Sequence, residues 1–320
     1  MANYFIDNED LRFYIDKGID WEPLVKITEY DFNAEDGYSN TEEAVTDYRD
    51  VLEMVGQFAA EEIAPIAAEM DHEGARMVDG EAMLPSQMQE IFEQIKELDL
   101  HRMCLPRELG GMNCPMLLYF INSEMLGRAD VSTMAHHGFH GGIAMAMLWY
   151  SVQEGSTEVD VEGYKLLKTR FAKEIEEIAS GEAWGSMDIT EPSAGSDMAA
   201  MRARGELDDD GNWFVSGEKI FINSGHGKYH FVIARTEESD PNDPFAGLKG
   251  LSMFLVPMYE DTSDGKKWLA TVDRVEEKLG HHGSVTASIS YDRSPAHLVG
   301  QRGEGFKYML TLMNNARVGV

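Results

Sequence analysis

The chain has 320 residues, 57 acidic against 27 basic, for a formal net charge of −30, and is 43% hydrophobic and 10% aromatic. That composition supplies packed cores for one to three domains and excludes a disordered chain. So acidic a surface repels nucleic acid and anionic membranes, and an anionic ligand needs local groups to offset the field.

Residues 1–40 read as a polar, aromatic-spotted N-terminal extension, one short helix and a loop. They resemble neither a secretory signal nor an Arg-rich transit peptide, so a cytoplasmic protein is expected. Ser39 and Glu42 have the spacing of a capping box. Behind them Val51, Val55, Phe58 and Ala59 share one helical face. Helical patterns continue through "SQMQEIFEQIKELDL", "MLLYFINSEMLGRAD", "GGIAMAMLWYSVQEG" and "EGYKLLKTRFAKEIEEIASG", so residues 41–181 read as all-α. None approaches the roughly 18 apolar residues of a membrane helix. Cys104 and Cys114 lack a CxxC spacing, so no disulfide framework is expected. His136, His137 and His140 in "HHGFHGG" read as a structural loop before a helix, without the carboxylate of an HExxH zinc motif, and no metal is assigned.

From residue 182 the grammar changes. "EAWGSMDI", "NWFVSGEKIFIN", "YHFVIAR", "LSMFLVP" and "SVTASISYD" are short β-rich runs separated by turn clusters such as "DDDGN" and "EDTSDGKK". Residues 182–300 therefore read as an antiparallel barrel or sandwich. A helical pattern resumes at 301–320, where Phe306, Met309, Leu310 and Met313 form an apolar stripe. Arg317, eleven residues after Phe306, returns to nearly the same angle. An arginine there needs a partner, either solvent or an anionic ligand. The expected fold class is thus α+β multidomain: a helical domain, a middle β domain and the start of a second helical domain.

"DITEPSAGSD" (188–197) is locally a turn after a strand, with Pro192 fixing φ and small residues letting the backbone pass close to something. Taken alone, Thr190 and Ser196 there satisfy local backbone groups.

The motif and the order of units resemble the acyl-CoA dehydrogenases. The family pattern fits from Ile189 through Asp197 and fails at Asp188, where relatives carry a small residue. "SGEKIFIN" resembles the family's flavin-facing strand. "EEKLGHHGSVTASISYD" resembles the strand pair beyond it, and "LVGQRGEGFKYMLTLMNNARVGV" the helix that contacts acyl-CoA. With "LPRELGGM" the resemblance covers residues 40–320. The extension, "KIFI" and "HGSVT" look most like the large subgroup that includes long-chain and methylthiopropanoyl-CoA dehydrogenases. Where that subgroup often has a "GDHDL"-like run, this chain has "NSGHGKYH", so the substrate is not carried over.

The resemblance implies FAD as cofactor and oxidation of an acyl-CoA thioester between Cα and Cβ. It implies that Met187, Ile189 and Thr190 approach the flavin, with the Thr190 hydroxyl near N5. Gly195 then permits close backbone approach, and Ser196 meets a phosphate oxygen or the acyl-CoA. Phe221, where many relatives place Trp, joins Ile222 and Asn223 as flavin contacts. Asn314 and Arg317 are the substrate candidates. Ala316 stands where isovaleryl-type relatives carry their catalytic Glu. Other members carry that base downstream, beyond residue 320, so no catalytic residue is assigned. The expectation that follows is weak FAD binding and no turnover for residues 1–320 alone. Relatives imply a homo-oligomer, dimer or tetramer, and electron-transfer flavoprotein as electron acceptor. An acyl-CoA oxidase or related flavin enzyme on the same fold, or a non-catalytic binding subunit, remains the alternative.

Overall fold

A computed structural model describes residues 2–238 and 246–319. Five helices organise the first half: α1 (Thr41–Phe58), α2 (Ser86–Glu97), α3 (Met116–Ala129), α4 (Val131–Gln153) and α5 (Ala172–Ala179). In α1, Tyr48, Leu52, Val55 and Phe58 are buried, the i, i+3/i+4 spacing of an amphipathic helix. Its cap lies one residue beyond the expected Ser39–Glu42 pair. Asn40 Oδ1 accepts from the Glu43 amide at 2.9 Å, and the Glu43 carboxylate reaches back to the Ser39 amide at 2.8 Å. An amide oxygen serves this role as well as a hydroxyl.

The extension is not a detached polar preface. It forms two short helices, Glu9–Phe13 and Trp21–Thr28. Phe5, Leu11, Ile15, Trp21 and Val25 are buried in the helical core, with Trp21 at 5.6 Å from the Tyr48 ring. Glu29, fully buried, receives both guanidinium nitrogens of Arg107 at 2.9 and 2.8 Å.

Residues 41–181 are also not all-α. A hairpin pairs Arg76–Val78 with Glu81–Met83 across Asp79-Gly80, both at positive φ, the signature of a two-residue turn. A second hairpin pairs Glu158–Asp160 with Lys165–Lys168, so the helix expected through "EGYKLLK" begins only at Ala172. Asp160 holds that turn by accepting from the Glu162 and Gly163 amides.

Seven strands build the second half: β1 (Gly185–Asp188), β2 (Arg204–Leu207), β3 (Trp213–Asn223), β4 (Tyr229–Arg235), β5 (Leu251–Pro257), β6 (Thr271–Val275) and β7 (Thr286–Val299). β7 pairs β3 and β5, β3 pairs β2, β2 bridges β4, and β4 pairs β5. The ring therefore closes as a barrel, with β6 outside β7 and β1 outside β4. β1 runs parallel to β4. The "EDTSDGKK" cluster is the turn of a separate hairpin, Tyr259–Thr262 with Gly265–Trp268. A last helix, α6 (Gly305–Gly319), packs on β5, α3 and α4. No helix among the described residues is long and apolar enough to cross a membrane.

Candidate functional site

The segment after β1 is held from below by a buried ion pair. Lys219 on β3 is fully buried, and its Nζ donates to the Ile189 carbonyl and to Glu191 Oε1, both at 2.9 Å. The Glu191 carboxylate also accepts from the Arg202 and Ala203 amides. Burial pulls the Lys219 ammonium below its ordinary value, and Glu191 opposes that shift. The Ile220 amide donates to the Thr190 carbonyl at 2.9 Å, so Thr190 sits against the end of β3. Glu191 and Ala194 then exchange both backbone bonds, closing the turn of "TEPSAG".

Opposite this turn β3 bulges. Lys219 pairs with Ile289 and Ile222 with Ala287, so two residues oppose one. Phe221 takes φ +60 and Ser224 φ +56. A left-handed non-glycine residue costs on the order of 1–3 kcal/mol and persists where its surroundings fix it. The bulge turns the Phe221 ring outward, 59% exposed.

Beneath the same strands lies a second buried network. Asp188 accepts from Ser186 Oγ at 3.0 Å, from the Tyr291 hydroxyl at 2.7 Å and from His230 Nδ1 at 3.0 Å. His230 Nε2 faces the Gly227 carbonyl at 3.1 Å. Both ring nitrogens thus lie against oxygen atoms. Burial and Asp188 push the Tyr291 phenol well above its ordinary value. The two departures from the family pattern, Asp188 and the "NSGHGKYH" run, thus meet through His230.

His136, His137 and His140 lie within α4 rather than in a loop, because Asp130 caps the helix ahead of them, accepting from the Thr133 amide and hydroxyl. Gly141 keeps this helix close to its neighbour: a Cβ there would fall 1.9 Å from the His101 carbonyl oxygen. His140 stacks between His101 and Trp184, at 4.8 and 4.0 Å. Burial keeps these imidazoles neutral, with His137 lowered to about 4 and His140 well below its usual value. No group of three or more His, Cys, Asp or Glu among the described residues is placed to hold a metal ion.

Between α3, α4, α6 and the 101–105 loop lies a cavity of about 470 Å³, with Asn223 among its lining residues. Met103, Met116, Met134, Met145, Phe120 and Phe139 contribute apolar wall. Gly142 leaves room, since a Cβ there meets no atom within 4 Å. None of the residues lining it is Asp or Glu.

The sequence-derived candidates divide by exposure. Ile189 and Thr190 are half-buried, while Gly195, Ser196, Phe221 and Asn223 are exposed. Two departures stand out. Met187 packs inward in the core, 6% exposed, because Met187 follows Ser186 on a strand covered by α4. Ile222 is also buried, on the inner face of its strand. Asn223 Oδ1 accepts from Thr286. In α6 the buried line runs through Gly305, Tyr308, Met309 and Leu312. Phe306 lies only at the rim of that line, so Arg317 at the same angle is exposed, donating to Asn314 Oδ1 at 3.2 Å. Asn314 is exposed as well, whereas Ala316 lines the cavity. Sequence reasoning assigned no role to Lys219 or Glu191 and read His136 as structural, although the lysine of "GEK" within an apolar strand run was a visible polar residue in need of a partner.

Residues 46–158 match the family described as "Acyl-CoA dehydrogenase, N-terminal domain" and residues 186–294 "Acyl-CoA dehydrogenase, middle domain". The chain is 30% identical to 3-methylmercaptopropionyl-CoA dehydrogenase of Ruegeria pomeroyi over 97% of its own length and 49% of that protein. Butyryl-CoA dehydrogenase from Megasphaera elsdenii has the same fold at TM-score 0.66 and 22% identity, over 85% of this chain and 63% of that one. So does an acyl-CoA dehydrogenase complexed with FAD from Bacillus anthracis, at TM-score 0.63 and 19% identity, over 86% and 41%. The chain spans about half the length of the curated relatives it matches. Through these N-terminal and middle domains, the chain belongs to the acyl-CoA dehydrogenase family.

Proposed function

We propose that the chain forms the flavin-binding and acyl-binding part of an FAD-dependent acyl-CoA dehydrogenase that converts an acyl-CoA thioester to its 2-enoyl-CoA. The observation that carries this reading is the apolar cavity whose lining includes Asn223, two residues along the strand from the exposed Phe221 ring. FAD fits the residues present. Phe221 offers an exposed ring face, and the Thr190 and Ser196 hydroxyls have no hydrogen-bond partner among the described residues. At Gly195 a Cβ would point into space bounded only by Thr190 Cγ2 at 3.9 Å. Bound FAD supplies the two-electron acceptor, and the protein supplies orientation and electrostatics.

Ile189, Thr190, Phe221 and Asn223 hold the ring edge in this reading, and Gly195 and Ser196 the phosphate or acyl-CoA end. The cavity wall aligns the acyl chain and excludes water from its α and β carbons. Met187 and Ile222 support the site through their backbone and packing, since both side chains are buried. Asn314 and Arg317, exposed on the last helix, offer donors to the CoA end in an otherwise acidic chain. The domains are those of residues 41–181, 182–300 and 301–320. The protein works as a homo-oligomer in the cytoplasm and passes electrons to an electron-transfer flavoprotein.

The test is titration of the chain with FAD, followed by anaerobic addition of acyl-CoAs from butyryl to palmitoyl. Saturable FAD uptake with bleaching of the flavin band by at least one acyl-CoA is expected from the protein carrying its complete reading frame. No uptake refutes the reading. An oxygen pulse after bleaching distinguishes outcomes: fast reoxidation with peroxide assigns an oxidase instead.

A further inference from the structure

The geometry points to His136 as a positioning residue for the flavin edge, acting through Ser224 and Val285; this rests on the flavin reading above. His136 is 1% exposed on α4, and its ring reaches across to the β half of the molecule. The Val285 amide donates to its Nε2 at 2.9 Å, so that nitrogen holds a lone pair. The proton is then on Nδ1, which donates to Ser224 Oγ at 2.7 Å. Ser224 in turn donates its amide to the Val285 carbonyl at 3.0 Å. Three bonds therefore close a ring around the end of β3, and one neutral tautomer satisfies all of them. Burial, then the neighbouring His226, His281 and Lys278, hold His136 well below its ordinary value, which preserves that tautomer.

What the ring secures is the strained segment. Phe221 and Ser224 both sit at positive φ, and Asn223 lies between them, facing the cavity. The neighbouring His137 and His140 are equally buried, yet neither ring nitrogen of either finds a partner among the described residues. His136 thus differs from its neighbours in bonding, and not in burial.

The experiment titrates FAD into the protein carrying its complete reading frame, reading flavin fluorescence and the shape of the visible band. His136→Leu keeps the volume and removes both bonds. It is expected to weaken FAD binding about tenfold, or about 1.4 kcal/mol, and to return the band toward that of free flavin. His136→Gln offers an oxygen to Val285 and an NH₂ to Ser224, and is expected to recover binding to within about threefold of wild type. His140→Leu is the control: as buried, without a bond to the turn, it leaves affinity within about twofold even where it lowers stability. If His136→Leu does not fold by circular dichroism, Ser224→Ala carries the same test, with a several-fold loss expected. Wild-type affinity in His136→Leu or Ser224→Ala, an equal loss in His140→Leu, or no rescue by Gln overturns the inference alone. A wild-type chain that takes up no FAD overturns the flavin reading, and this inference with it.

Discussion

Replacing Glu191 with Gln tests how the turn before the flavin edge is held. The change keeps shape but leaves the Lys219 ammonium, fully buried, with neutral acceptors only, the Ile189 carbonyl and the amide oxygen it must share. The Arg202 and Ala203 amides are left to share a single oxygen. Removing one partner of a buried pair costs about 3–5 kcal/mol, so the urea midpoint falls by roughly 1–2 M. The pH dependence carries more information than the size. Burial already depresses the Lys219 value, and loss of Glu191 depresses it further. The unfolded chain then binds more protons than the folded one between the folded value and the unfolded one of about 10.4, so stability rises with pH across that window. The deficit against wild type therefore shrinks as pH rises toward the unfolded value. Urea melts at several pH values measure it. A deficit under about 1 kcal/mol, or one that does not change between neutral and alkaline pH, refutes the reasoning. The double variant Glu191→Leu with Lys219→Met is expected to recover much of the loss, because no unpaired charge remains.

Three further outcomes are expected. Asp71 raises the His282 value, and the bond between them joins the 71–75 segment to the 278–284 loop. That contact is fully formed at acidic pH and weakens as pH rises through the raised value, so exchange of the Ala75 amide accelerates with a midpoint that Asp71→Asn abolishes. Gly141→Ala forces a Cβ onto the His101 carbonyl and costs about 1–3 kcal/mol, whereas Gly142→Ala, facing open space, stabilises by roughly 0.5–1 kcal/mol. Opposite ordering in thermal melts contradicts the packing described. Cys114, buried and pushed up to about 12 by that burial, reacts with a thiol reagent only as the chain unfolds. Rapid labelling of Cys114 in the native chain contradicts that.

The helical half was legible where apolar residues recur at helical spacing, as in α1 and α2, and the barrel where β-branched runs sit between turn clusters. The two hairpins were lost because three- and four-residue strands leave almost no period, although Asp79-Gly80 was a readable turn signal. The extension read as polar because its buried residues, Phe5 to Val25, are diluted by acids that face solvent. Of the site, the "TEPSAGSD" turn was visible as a pattern. Its support was not, since Lys219, His136 and His230 make contacts across 28 to 149 positions and no local window holds both partners. Arg317 shows the limit of angular arithmetic: it placed the residue beside Phe306 correctly but could not say that Phe306 is itself peripheral.

The Glu29–Arg107 pair has a consequence for synthesis. The two residues are 78 positions apart, so during translation at about 5–20 residues per second the carboxylate waits roughly 4–16 s for its guanidinium. Until then Glu29 stays in water, and the extension has no charge partner to draw it into the core. Docking of residues 1–40 before the "LPRELGG" loop has been made would bury the Glu29 carboxylate without its guanidinium, which is costly.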